Sequence, residues 1–182
     1  PKQLFVLPEP QGVWAALLAL WVMGTYLLDQ FRYYPTLLFE GPAERGKTHI
    51  GNALIFLARR GWATASPTPA VIFRNAARHC IALFLDVYDL PGMMVRNDDI
   101  NNLVLSRMER GKDVQRVLRP DAPSPLDEMK SFTVFGPTIL GSNRDVAPDH
   151  PLASRCIRIA MPEARSSRPL PTSNADDGRA GI

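Results

Sequence analysis

Eight consecutive residues carry the plainest chemistry in this sequence: Gly41-Pro42-Ala43-Glu44-Arg45-Gly46-Lys47-Thr48. They fit the pattern G-x-x-x-x-G-K-[ST], in which a glycine-bounded loop wraps a phosphate chain. Gly41 and Gly46 permit turns where a Cβ would strike the anion. The amides between them point inward, Lys47 reaches for the terminal phosphates, and Thr48 offers a hydroxyl to Mg2+. The stretch from Gly41 to His49 is therefore expected to contact a nucleotide, with ATP and Mg2+ as cofactors. Such a loop has meaning only between a strand and a helix. Residues 34–40 read as the strand. Residues 48–60 read as the helix, closed by Arg59, Arg60 and Gly61. Its positive N-terminal end would face the phosphates.

Asp86 ends the apolar run Cys80-Ile81-Ala82-Leu83-Phe84-Leu85. An Asp so placed shares Mg2+ with the loop Ser or Thr in proteins that hydrolyse nucleotides. Thr48 and Asp86 are thus the expected metal pair. Many ATPases place a Glu directly after this Asp to orient the attacking water. Here Val87 follows, and Asp89 stands three positions on. Asp89 is either the substitute base or a turn residue; without a base, ATP would be bound and hydrolysed slowly. Asn143, in Gly141-Ser142-Asn143-Arg144, ends another strand and can hold water near a γ-phosphate, although Ser-Asn-Arg is also ordinary loop composition. Arg155 precedes the last strand. It is either an arginine finger for a neighbouring subunit or a surface salt-bridge residue. The segment 107–119 holds Arg107, Arg110, Lys112, Arg116 and Arg119 against Glu109 and Asp113. It reads either as a basic helix end or as a grip on single-stranded nucleic acid through phosphates, with Lys112, Arg116 and Arg119 as the contacts. His79 and His150 have no assigned role, and Cys156 is expected to be buried packing.

These residues need a frame. Val13 to Leu28 carries no charge and is closed by Asp29, Gln30 and Arg32. It is shorter than the roughly 20 residues of a membrane span. A buried core helix within 11–30 is expected, introduced by Pro8 and Pro10. A short strand from Gly61 and then a proline loop follow the P-loop helix. Next come a helix over 70–79 and a strand over 80–86, buried on both faces because its apolarity is continuous. Pro91-Gly92 should break the chain, and Asp98 or Asp99 should cap a helix running to Arg110. Strands are expected over 113–118, over 132–141 with an interruption at Gly136-Pro137, and over 156–161. Strands alternating with helices predict a parallel sheet covered on both faces. Ligands bind beyond the carboxyl ends of such strands, the side on which the P-loop, Asp86 and Asn143 all fall.

The 182 residues are 46% hydrophobic, enough for one core. The expected organisation is a single domain over 1–162 and a disordered polar tail over 163–182. A net charge of +3 permits a weak nucleic-acid surface without requiring one. The two cysteines have no metal spacing and suit a reducing cytoplasm, and no secretory signal pattern is evident. The chain opens on proline, as a fragment or trimmed chain would.

Taken together, these pieces resemble the AAA+ ATPases. They are most similar to the helicase-type ATPase domains of phage, plasmid and mobile-element replication proteins. The carriers are Trp21, Thr25 and Tyr26, the P-loop, Ser66 to Arg74, Leu83-Phe84-Leu85-Asp86, Arg107 to Gly111, Phe135-Gly136-Pro137 and Ala153-Ser154-Arg155. The resemblance implies an α/β P-loop NTPase three-layer sandwich with a mainly parallel central sheet. It further implies Lys47 and Thr48 on phosphate and Mg2+, Asp86 on Mg2+, Asn143 as γ-phosphate sensor and Arg155 as a finger acting between subunits of a ring. Single-stranded nucleic acid would be the partner. Two departures stand out: Val87 in place of Glu, and no helical lid following Met161. The alternatives are a nucleotide-binding assembly module with little turnover, and a small-molecule P-loop kinase, for which neither lid nor acceptor site is evident.

Overall fold

A computed structural model gives the structure of residues 11–64, 68–117 and 129–161. The expected tail, the proline loop of 120–125 and Arg119 lie outside these described residues. In chain order the elements are α1 (Gln11–Tyr26), β1 (Thr36–Glu40), α2 (Lys47–Leu57), β2 (Gly61–Thr64), α3 (Pro69–His79), β3 (Ala82–Val87), α4 (Leu90–Arg96) and α5 (Asp98–Ser106). They are followed by β4 (Val114–Val117), β5 (Met129–Phe132), β6 (Thr138–Ser142) and β7 (Cys156–Ala160). Five strands form one sheet in the order β2-β3-β6-β1-β7, every pairing parallel. The expected α/β architecture is therefore present. β4 and β5 form a separate antiparallel pair.

The alternation of side chains across a strand splits the core in two. Leu38, Leu83, Leu85 and Leu140 face α3, α4 and α5. Leu37, Phe39, Phe84 and Ile139 face α1 and α2. This double burial is the reason β1 and β3 read as continuous apolar runs. On the α2 side the approach is close. A Cβ on Gly51 would lie 2.3 Å from the Phe84 ring, so only glycine lets α2 sit this near β3. The start of α2, and with it the P-loop, is thereby held over the sheet edge.

Three local expectations are corrected. First, α1 is not buried all round. Leu18, Trp21 and Thr25 face the domain, while Val13, Leu20, Met23 and Tyr26 are exposed. Only one stripe of the helix meets β1 and α2. Trp21 Nε1 donates to the Pro35 carbonyl at 2.8 Å, and the Tyr34 hydroxyl donates to the Trp21 carbonyl. Second, Pro91-Gly92 does not break the chain but lies in the first turn of α4. Proline is tolerated there because its missing N–H would have no intrahelical partner. Third, α5 is capped by Asn97, whose Oδ1 accepts from the Ile100 amide at 3.2 Å, and it ends at Ser106 rather than Arg110. Asp98 and Asp99 occupy its first turn, where the helix dipole favours acids. Among the described residues no helix is long and apolar enough to cross a membrane.

Candidate functional site

All five sheet strands run the same way, so their carboxyl ends share one edge. β6 pairs with both β1 and β3, which sets those two strands roughly 10 Å apart. The P-loop follows β1, Asp86 lies at the end of β3, and Asn143 follows β6 between them. The three bound one cleft of about 620 Å³, lined by Ala43 to His49, Asp86, Tyr88 and Asn143. Gly41 (φ +139°) and Gly46 (φ +83°) hold backbone conformations that L residues resist. Glu44, at φ 62°, adopts the left-handed region without that freedom.

Lys47 is buried, and its Nζ donates to the Gly41 carbonyl at 2.7 Å and to that of Pro42. Its ammonium is held below the ordinary lysine value, chiefly by burial. Asp86 opposes the shift and Arg45 adds to it. An anion entering the loop would therefore meet a partly desolvated cation. Thr48 Oγ1 donates to Asp86 Oδ2 at 2.6 Å, so the expected metal pair is in contact. Alternation turns Asp86 towards α2, on the same sheet face as Phe84. Gly141 lies directly across from Asp86 in the β3–β6 register, and a Cβ there would come within 2.7 Å of Asp86 Oδ1. Glycine at 141 thus clears the space that the carboxylate occupies.

A hydroxyl and a carboxylate make a hard, all-oxygen pair. Mg2+ suits such a site, since it is usually held by one or two protein oxygens together with phosphate and water oxygens. No cluster of three or more His, Cys, Asp or Glu side chains that could cage a metal occurs among the described residues. Thr48 and Asp86 thus fit a cation brought with a phosphate ligand rather than a closed metal site.

Asn143 is half-buried beside this pair. Its backbone N–H donates to the Tyr88 carbonyl at 3.1 Å, extending the β3–β6 pairing past the sheet edge. Asp89 is engaged elsewhere. Its Oδ1 accepts from the Gly92 amide at 3.0 Å, capping α4, and its Oδ2 lies 3.6 Å from Arg96. Val87 packs against the core on the α3–α5 side.

Arg155 stands at the opposite edge of the sheet. It precedes Cys156, which pairs with Thr36 at the start of β1. Five residues of strand, at about 3.3 Å each, separate that edge from the P-loop by roughly 15 Å. The basic segment also divides. Arg107 is fully buried, and its guanidinium donates to Thr138 Oγ1 and to the carbonyls of Val134, Ile81 and Pro137 at 2.8–3.1 Å. Burial pushes its pKa down to about 10. Arg110 lies over the Phe135 ring at 4.9 Å and donates to the Leu28 and Phe31 carbonyls. Arg107 is thus closed to solvent, whereas Arg110 is partly exposed. Lys112 is exposed and paired with Glu109 at 2.7 Å. Arg116 lies in β4, with its side chain outside the description. Cys156 is half-buried, and its thiol is pushed up to about 12 by burial and by Glu40.

Two features were not read from the sequence. Tyr88 lines the cleft mouth. Glu40, the last residue of β1, is buried, and its carboxylate accepts from Arg158 Nε at 2.6 Å, Arg158 Nη2 at 2.9 Å and the Val146 amide at 2.7 Å. This cluster ties the strand before the P-loop to the chain after Asn143. Its signal was available: an acid closing a wholly apolar strand, and an Arg inside the alternating strand 156–160.

Compared with known proteins, the sequence matches no protein-family model and no curated protein.

Proposed function

We propose that this chain is a P-loop ATPase domain of AAA+ type that binds ATP with Mg2+ and hydrolyses it as a helicase-like motor on nucleic acid in mobile-element replication. One observation carries the nucleotide reading: the P-loop, the Thr48–Asp86 contact and Asn143 meet in one cleft at the carboxyl edge of a parallel sheet. In this reading the loop amides and Lys47 bind the β- and γ-phosphates. Thr48 and Asp86 hold the metal ion, which neutralises charge developing on the phosphates. Asn143 orients the attacking water. Arg155 lies too far from its own P-loop to serve it, so its partner would be the ATP of an adjacent subunit, where an arginine finger contributes about 10³ to 10⁵ in rate.

A second reading, an assembly module with slow turnover, is favoured by one specific feature. Val87 is packed against the core and Asp89 caps α4, so among the described residues Glu44 and Asp86 are the only carboxylates lining the cleft. Steady-state ATPase assays separate the readings. The motor reading expects turnover that Arg155→Ala and Lys47→Ala each abolish and that a mixture of the two variants partly restores. A mixture no more active than its components would leave Arg155 outside any shared site. Wild-type protein that binds ATP without turning it over would establish the second reading.

A further inference from the structure

A second cavity, of about 460 Å³, lies at the sheet edge remote from the P-loop. Pro35, at the entry to β1, Leu105 of α5 and Met108 form its apolar body. Asn102 and Ser106, one turn apart on α5, supply polar groups, and Arg155 lines it from the chain before β7. A cavity of this size, largely apolar with a few converging polar groups, is the usual form of a small-molecule site.

The charge around it is unbalanced. Among the described residues Glu109 is the only carboxylate lining the cavity. It is already engaged by Lys112 at 2.7 Å, by the Tyr33 hydroxyl at 3.0 Å and by Arg32 at 3.6 Å. The hydrogen bond from Lys112 holds it below the ordinary carboxylate value, against some burial and with further help from Tyr33 and Arg32. Arg155 has no carboxylate within salt-bridge distance among the described residues. Two cations thus line the cavity, Lys112 and Arg155; Lys112 is committed to Glu109, and Arg155 is not.

We infer that this cavity binds a small apolar carboxylate, its apolar body against Pro35, Leu105 and Met108 and its acidic group on the Arg155 guanidinium. A planar guanidinium pairs with a carboxylate through two parallel hydrogen bonds, which gives the contact direction as well as charge. The binding stands apart from the nucleotide site. A consequence for turnover rests on the motor reading proposed above: a ligand holding Arg155 would keep it from a neighbour's ATP and lower the shared rate.

The test uses the full 182-residue chain, with naphthoate as probe and its neutral amide as the matched control, by calorimetry at neutral pH and low salt. Naphthoate should bind one molecule per chain, and the amide about tenfold more weakly or worse, the loss expected for one charge-assisted hydrogen bond. Arg155→Gln should remove that difference. Ser106→Trp, which fills the cavity, should abolish binding of both probes, and Lys47→Ala should leave naphthoate affinity unchanged. Arg155→Gln alters an exposed side chain, so it keeps the test decisive even if Ser106→Trp fails to fold. Equal affinity of the two probes for wild type, naphthoate affinity unmoved by Arg155→Gln, or no binding at millimolar naphthoate would each overturn the inference. Bound naphthoate that leaves ATP turnover untouched would count against the shared ATP site and not against the cavity.

Discussion

Replacing Glu40 with alanine should destabilise this domain more than any loss of exposed charge could. The Glu40 side chain is 6% exposed and that of Arg158 is 17%. Glu40→Ala deletes three acceptor contacts at once, those to Arg158 Nε, Arg158 Nη2 and the Val146 amide. Among the described residues the guanidinium keeps one hydrogen bond, to the Val146 carbonyl at 2.9 Å, and the weaker attraction of the Asp145 carboxylate. Removing one member of a buried ion pair costs about 3–5 kcal/mol, because the other charge stays buried without compensation. In a domain of this size, about 2–4 °C of melting temperature is lost per kcal/mol, so a fall of roughly 6–20 °C is expected. Urea denaturation of Glu40→Ala, Arg158→Met and the double variant measures the coupling. The double variant should cost much less than the sum of the singles, since a buried pair replaced by apolar groups is often nearly neutral. Exchange of the backbone amides over 143–146 should also rise in Glu40→Ala, because the loop after β6 loses its anchor to β1. A loss below about 1 kcal/mol, or strict additivity of the two substitutions, would refute the reasoning and reduce the pair to a surface contact.

Two further outcomes follow from the cleft. Gly141→Ala should displace the Asp86 carboxylate, because the new Cβ would meet its Oδ1 at 2.7 Å. Mg2+-dependent nucleotide affinity should then fall about tenfold or more while Mg2+-free affinity changes little; equal loss in both conditions would contradict this. Nucleotide affinity should also depend on the protonation of Lys47, whose folded-state pKa lies below its ordinary value of 10.5 because of burial. Phosphate in the loop would raise that pKa again, so affinity should be constant below the lowered value and decline as pH rises through it. The linkage to stability has the opposite sense. The unfolded chain binds more protons in this window, so stability should rise with pH there, and Lys47→Met should flatten that dependence of stability.

The frame was legible where local chemistry and burial agree. β1 and β3 are sandwiched between two cores, so their apolar runs announced central strands. The glycines and Lys47 of the P-loop carried their own geometry. Legibility failed where a residue's role depends on a partner distant in sequence. Arg107 reads as one more base in a cationic segment, yet it is buried against carbonyls from two other segments of chain. Asp89 lies close to Asp86 in sequence, but capping of α4 takes its carboxylate. Glu40 and Arg158 are 118 residues apart, and no local pattern pairs them. The exposed face of α1 was missed because both sides of that helix are apolar, leaving no polar stripe to mark the solvent side.

Calorimetric titration of the chain with ATP and Mg2+, beside Lys47→Ala, tests the central claim most directly. The account predicts one ATP per wild-type chain and loss of that binding in Lys47→Ala, with circular dichroism and melting showing the variant still folded. A wild-type chain that takes up no ATP at millimolar concentration, or a folded Lys47→Ala variant that binds it with undiminished affinity, would contradict the claim that the cleft at the carboxyl edge of the sheet is a nucleotide site.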